Sequence, residues 1–202
     1  MESTKKHCIV SISGTSRPNN FTSHALAVVN SELISLGHSV ELFDARELNL
    51  GFPGSAPTTD AQRLQSAVNS ASGIVLATPE YHGSFAAMTK LIIENMGFPS
   101  ALSGKPIALV GVAAGRIGAI KSLEQLRGIC AHVGAIVLPG ATSIAGVQSA
   151  FDAEGNCADN AVESALGAVA TSLTSFIDNF ICPKYALEAL VRDGGDAWVT
   201  SV

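Results

Sequence analysis

Three short segments gather the groups able to do chemistry. The first spans residues 13–23 and holds Ser13, Gly14, Thr15, Ser16, Arg17, Asn19, Asn20 and Thr22. An apolar run, 8–12, leads into it, and Leu26, Val29, Leu33 and Leu36 follow at helical spacing. A helix start carries unpaired N–H groups and a positive dipole end. Hydroxyls add short donors, and Arg17 adds a planar, permanently charged fork. Such a turn suits a phosphate, and Gly14 reads as the place where backbone approaches it. The second segment is Thr78-Pro79-Glu80-Tyr81-His82-Gly83-Ser84. Pro79 fixes a torsion, Gly83 removes a side chain and Tyr81 offers a flat face, so the bend suits the edge of a planar ring. His82 reads as a lining residue without an acid–base role. The third segment, 113–118, is punctuated by Gly115 and Gly118 and leads into a helix.

These segments need strands and helices to position them. Apolar runs predict strands at 8–12, 39–43, 73–78, 106–112 and 135–138, with Pro79 stopping the third. Periodic patterns predict helices over 20–36, 59–70, 85–95, from about 115–118 through 133, and 159–180. Gly37 fits the end of the first helix, and Thr59-Asp60-Ala61-Gln62 has capping-box spacing for the second. Alternation of this kind gives an α/β, doubly wound, five-stranded parallel sheet with helices on both faces. Ligands bind such sheets beyond the carboxyl ends of the strands, where all three segments lie. The stretch 141–156 reads as a long loop.

Composition narrows the classes. With 202 residues, 47% hydrophobic and 14% charged, the chain is long and apolar enough for one domain with a full core. A net charge of −5 with no basic run longer than Lys5-Lys6 argues against nucleic acid. Cys8, Cys130, Cys157 and Cys182 are widely spaced, with no metal or dithiol pattern, and Cys8 and Cys130 read as core residues. A reducing, cytoplasmic setting is expected. The N-terminus lacks a signal-peptide core, and no eighteen-residue apolar run is seen, so no membrane span is expected. There is no G-x-S-x-G elbow for a hydrolase and no G-x-G-x-x-G after the first strand for a Rossmann dehydrogenase.

The chain resembles the NAD(P)H-dependent FMN reductase family of the flavodoxin-like superfamily, which includes quinone, chromate and azo-dye reductases. Gly14-Thr15-Ser16-Arg17 with Asn20 and Thr22 is similar to its phosphate loop, and residues 78–84 followed by Lys90 to its flavin-ring loop. Asn20 stands where serine is usual, and His82 where asparagine is usual. The resemblance covers about residues 7–180. It implies a flavodoxin-like sheet of strand order 2-1-3-4-5, with 1–182 as a single FMN-binding domain and 183–202 as a partly disordered tail. It implies FMN as cofactor and NADPH or NADH as co-substrate. Thr15, Arg17, Asn20 and Thr22 would hold the phosphate. Pro79, Glu80, Tyr81, His82 and Gly83 would line the ring, and Gly115 its other edge. Hydride would pass from nicotinamide to FMN and on to a small-molecule acceptor, such as free flavin or a quinone, with no catalytic side chain. The alternative is a flavodoxin-type electron carrier without nicotinamide oxidation. The family tends to homodimers or homotetramers. Phe85, Met88, Met96 and Phe98 are the candidate interface, with plain core as the competing reading.

Overall fold

Strands buried on both faces carry unbroken apolar runs, and their alternate residues feed two cores. The computed structural model describes residues 6–192. In chain order its elements are β1 (Cys8–Ser13), α1 (Phe21–Ser35), β2 (Ser39–Asp44), α2 (Thr59–Ser70), β3 (Gly73–Tyr81), β4 (Ser84–Phe85) and α3 (Ala87–Glu94). They continue with β5 (Pro106–Val112), α4 (Ile120–His132), β6 (Ile136–Val137), β7 (Thr142–Ile144), α5 (Asn160–Phe176) and α6 (Cys182–Arg192). The sheet runs β2-β1-β3-β5-β6, with β7 also on β5 and β4 folded back antiparallel on β3. This is the flavodoxin-like order 2-1-3-4-5 once β4 is set aside and β6 and β7 are taken as one edge strand.

Ile74 and Leu76 of β3 with Ile107 and Leu109 of β5 face the core under α2, α3 and α4. Their neighbours Val75, Ala77, Ala108 and Val110 face the core under α1 and α5. Helix α1 ends as Gly37 implies: Gly37 N–H bonds Ile34 O and His38 N–H bonds Leu33 O, satisfying two end carbonyls. Helix α2 is capped by Thr58, one residue earlier than the box spacing suggests, through Ala61 N–H at 3.1 Å.

One strand expectation is corrected and another is extended. Pro79 does not stop β3, which continues to Tyr81. Pairing with β1 ends at Ala77, so Pro79 has a strand neighbour only in β5, and its missing N–H leaves no ladder gap toward β1. The strand expected at 135–138 forms as β6, and beyond a Pro139-Gly140 loop the chain returns to β5 as β7, inside the stretch read as loop, so that residues 107 to 110 of β5 face the longer span 137 to 142. Of the expected tail, 183–192 forms the body of α6, reached through a wide helical turn at Ile177–Ile181. Residues 193–202 of the expected tail lie outside the described residues. The helical run Asn160–Arg192 is 33 residues long, with mean hydropathy 1.3 in its most apolar window, which by length and composition alone would suffice for a membrane span. Core packing of Leu166, Val169, Ala170 and Leu173 accounts for much of that apolarity.

At the far end of the sheet from the three segments, His7 N–H donates to His38 Nδ1 at 3.2 Å, and His7 Nε2 lies 3.0 Å from Asp178 Oδ1. That bond needs an unprotonated His38 Nδ1. Burial, then the charge of His7, lower the His38 pKa from 6.5, and Asp178 opposes them. Below about pH 6.5 the unfolded chain takes up a proton that the folded chain resists, so folding weakens as pH falls through that window. In urea melts at pH 7 and pH 5, His38→Gln, whose amide oxygen still accepts from His7, is expected to lose less stability than the native chain. Equal losses would remove His38 from the pH dependence.

Candidate active site

The ends of β1, β3 and β5 and the turn after β7 frame a cleft of about 290 Å³. Its polar end is the start of α1. Asn20 caps that helix: its Oδ1 accepts from Ser23 N–H and its Nδ2 donates to Arg17 O, both at 2.8 Å. Ser23 N–H is thereby paired, while the N–H groups of Phe21 and Thr22 stand in the first turn with no helical acceptor before them. No acidic residue sits in that turn to neutralise it. Thr22 is buried, and its Oγ1 has no hydrogen-bond partner. Leaving a buried hydroxyl unmatched costs about 1–3 kcal/mol, which points to a ligand oxygen or water as its partner. Arg17 borders the cleft, and among the described residues its guanidinium forms no ion pair or hydrogen bond. By contrast, Asp44 at the end of β2 is closed off by Arg46, whose Nε lies 3.0 Å from both carboxylate oxygens. Burial raises the Asp44 pKa, but hydrogen bonding to Arg46 and its charge outweigh that and leave it below the usual carboxylate range.

The other end of the cleft is Pro79, Glu80 and Tyr81, with Ala113, Ala114 and Gln148 along the wall. A neighbouring hollow of about 440 Å³, lined by Thr15, Ser16, Ala86 and Met88, shares Arg17 and Tyr81 with it. The structure therefore gathers Arg17, Asn20, Thr22, Pro79, Glu80 and Tyr81 around one space. Bonds within the protein bear on several of the roles implied by the resemblance. Asn20 lines the cleft, and its amide, bonded at both ends, also shapes the turn, with a second Nδ2 hydrogen left over. Thr15 is buried beside the cleft, its Oγ1 accepting from Arg17 N–H at 3.3 Å and lying 3.5 Å from Tyr81 Oη. The Glu80 carboxylate turns toward α4 and accepts Ser122 N–H at 3.1 Å, capping a helix whose own cap position, Ala119, offers no side-chain bond.

His82 and Gly83 do not line the cleft. They form the two-residue turn between the paired Tyr81 and Ser84, with φ of +51° and +75°. Positive φ at both central positions is the turn that matches hairpin twist, and glycine meets it without strain. Ala113 and Ala114 form the wall of the cleft next to Gly115, whose carbonyl accepts from Gly118 and Gly146, both at 3.2 Å. Helix α4 begins at Ile120, after this turn rather than within it. Lys90 pairs with Glu94 on α3. Asn19, from the first segment, also lines the cleft, and so does Gln148, which was not singled out in the sequence. Gln148 sits in a one-turn helix, Val147–Ser149, inside the stretch read as loop. Gly146 was the available signal for that turn.

A phosphate monoester fits the polar end, which offers first-turn amides and, among the described residues, a buried unmatched hydroxyl and an unpaired guanidinium. The sequence pattern of the NADPH-dependent FMN reductase family matches residues 8–149, which carry every segment of this cleft. An NAD(P)H-dependent FMN reductase of Pseudomonas aeruginosa is 31% identical over 163 residues, covering 75% of this chain and 85% of the relative. An FMN-dependent NADPH-azoreductase of Staphylococcus aureus is 28% identical over 148 residues, 69% of this chain and 77% of its own length. Among solved structures, the flavoenzyme NAD(P)H:acceptor oxidoreductase FerB of Paracoccus denitrificans superposes with TM-score 0.70 over 85% of this chain and 97% of its own, at 22% identity, a likeness of fold. With the family pattern spanning most of the chain and the sheet, cap and cleft in place beneath it, this chain belongs to the NADPH-dependent FMN reductase family.

Proposed function

We propose that the cleft holds FMN, with the phosphate on Thr22, Arg17 and the first amides of α1, and the ring along Pro79–Tyr81 and the 113–114 wall. FMN, when bound, supplies a ring that takes a hydride from NADPH or NADH and passes electrons to a small oxidant. The protein's part is to hold and orient. Arg17 and the helix start neutralise a dianion. The bend at 79–81 presents backbone and a flat Tyr81 at the ring's end, and Ala113 and Ala114, being small, leave room beside it. No side chain here is assigned a proton transfer; the redox chemistry belongs to the cofactor. The observation that carries this reading is the buried, unmatched Thr22 Oγ1 at a cationic helix start.

The visible spectrum of the purified protein, taken before and after anaerobic NADPH, tests it. Flavin bands that bleach on reduction and return with an added quinone or azo dye are expected. A colourless protein indifferent to added FMN would end the reading, and reduction without turnover on any acceptor would make it an electron carrier instead.

Thr22→Val provides a sharper check. It keeps the shape and removes the unmatched hydroxyl, so the apo protein should gain about 1 kcal/mol in urea melts while FMN affinity falls. Loss on both counts would mean that the hydroxyl has a structural partner.

The same reading takes the chain as a cytoplasmic homodimer or homotetramer. All four cysteines are free thiols, and burial pushes the Cys130 pKa up to about 12, leaving it inert. The proposed interface residues divide: Met96 is core, Phe85 and Met88 pack partly against it, and Phe98 is fully exposed. Phe98 thus remains as the interface residue, and light scattering at micromolar concentration should return a multiple of the chain mass.

A further inference from the structure

The bend facing the cleft is firmly rooted at its base and held at its tip by one helix. At the base, Thr78 Oγ1 accepts from Ala86 N–H at 3.2 Å and lies 2.9 Å from Thr89 Oγ1, all buried. The tip is exposed, and His82 is held at positive φ, a conformation unfavourable for a residue with a side chain. Three bonds to α4 tie this part down. Glu80 Oε2 accepts Ser122 N–H at 3.1 Å, Ser84 Oγ donates to Gln125 Oε1 at 2.7 Å, and Gln125 Nε2 donates to Gly83 O at 3.1 Å. Gln125 uses both ends of its amide, so its two partners fix its orientation. It is exposed on the surface of α4 and adds nothing to the core.

We propose that Gln125 is a positioning residue for the cofactor: by clamping the 82–84 turn onto α4, it holds Tyr81 as the wall of the cleft before FMN arrives. This rests on the functional reading above. A wall already set in its bound shape spares the ligand the ordering cost that a loose hairpin would impose. Released from Gln125, the tip and Tyr81 must be ordered by the ligand itself, and the polar groups they present to a ring whose charge changes on reduction are less fixed. Affinity and redox potential should therefore move together.

The test compares native protein, Gln125→Leu, Ser84→Ala and the double variant. The readouts are the FMN dissociation constant of apo protein, the midpoint potential of bound FMN, and the thermal midpoint of apo protein. Leucine is a good helix former at an exposed site, so apo midpoints within about 2 °C of native are expected. FMN should bind about threefold to tenfold more weakly to Gln125→Leu, with a shifted potential. The double variant should be no worse than Gln125→Leu, since both remove one clamp. Unchanged affinity and potential, or a fallen thermal midpoint with affinity and potential intact, would overturn the proposal. Native protein that binds no FMN would overturn the functional reading first, and the clamp's role with it. Native binding with an unaffected Gln125→Leu would overturn the clamp alone.

Discussion

Arg17→Ala protein binds FMN at least about tenfold more weakly than the native chain, a loss on the order of 1.4 kcal/mol. Charge-assisted hydrogen bonds contribute about 1.5–3 kcal/mol each when shielded. Arg17 is solvent-exposed, so screening brings its share toward the lower end. Its guanidinium meets no carboxylate among the described residues, so no ion pair must be broken before it turns to a phosphate. The backbone beneath it is already fixed, since Arg17 O accepts from the Asn20 amide at 2.8 Å and Arg17 N–H donates to Thr15 Oγ1 at 3.3 Å. Titration of apo protein with FMN and, separately, with riboflavin makes the assignment. Riboflavin lacks the phosphate, so its affinity should hold in Arg17→Ala while that of FMN falls. Arg17→Lys should recover part of the loss, because a point charge replaces a planar fork. Equal losses for both flavins would put Arg17 against the ring, and no loss for either would remove it from the site.

The sheet was legible because burial on both faces leaves a plain mark. The runs at 73–78 and 106–112 have no room for polar alternation, and the first two helices announce their bounds through Gly37 and the turn before Thr59. The edge strand was legible only in its first half: the run 135–138 forms β6, whereas β7 lies in the stretch read as loop, a three-residue strand too short to carry a pattern. The first chemical segment read correctly as a donor-rich helix start, but the division of labour within it did not follow from residue types. Asn and Thr are both good caps and good ligands. Only coordinates show that the Asn20 amide is engaged at both ends and that Thr22 Oγ1 is not. The second segment misled in a similar way. Proline ordinarily ends a strand, and only the early end of the β1 pairing makes Pro79 harmless within β3. His82-Gly83, which suited a ring contact by composition, also makes the hairpin turn by which Ser84-Phe85 folds back on Glu80-Tyr81, and composition alone did not show that. Gln148 had no local pattern, since a three-residue turn is too short for periodicity.

Gly14 carries the last of these lessons as a prediction: Gly14→Ala is destabilising by about 1–3 kcal/mol, and for a packing reason rather than an anion. A Cβ at this position would lie 2.3 Å from Thr89 Oγ1 and 2.8 Å from Ala77 O. Neither neighbour gives way easily. Ala77 O is backbone of the central strand and accepts Gly14 N–H at 2.8 Å. Thr89 is buried and donates to Gly14 O at 2.8 Å, with its hydroxyl also 2.9 Å from that of Thr78. The glycine thus seats α3 against the end of β1 and sets the path of the loop that carries Arg17. For a chain of this size the thermal midpoint should fall by about 2–4 °C for each kcal/mol lost. Thr89→Ala alone also destabilises, by removing buried hydrogen bonds. Combining the two should cost less than the sum of the singles by about 0.5 kcal/mol or more, because the closest clash has gone and only the Ala77 O contact remains. Strict additivity would show that the two residues do not meet. A Gly14→Ala protein as stable as the native chain, with FMN affinity alone reduced, would restore the anion-approach reading of this glycine.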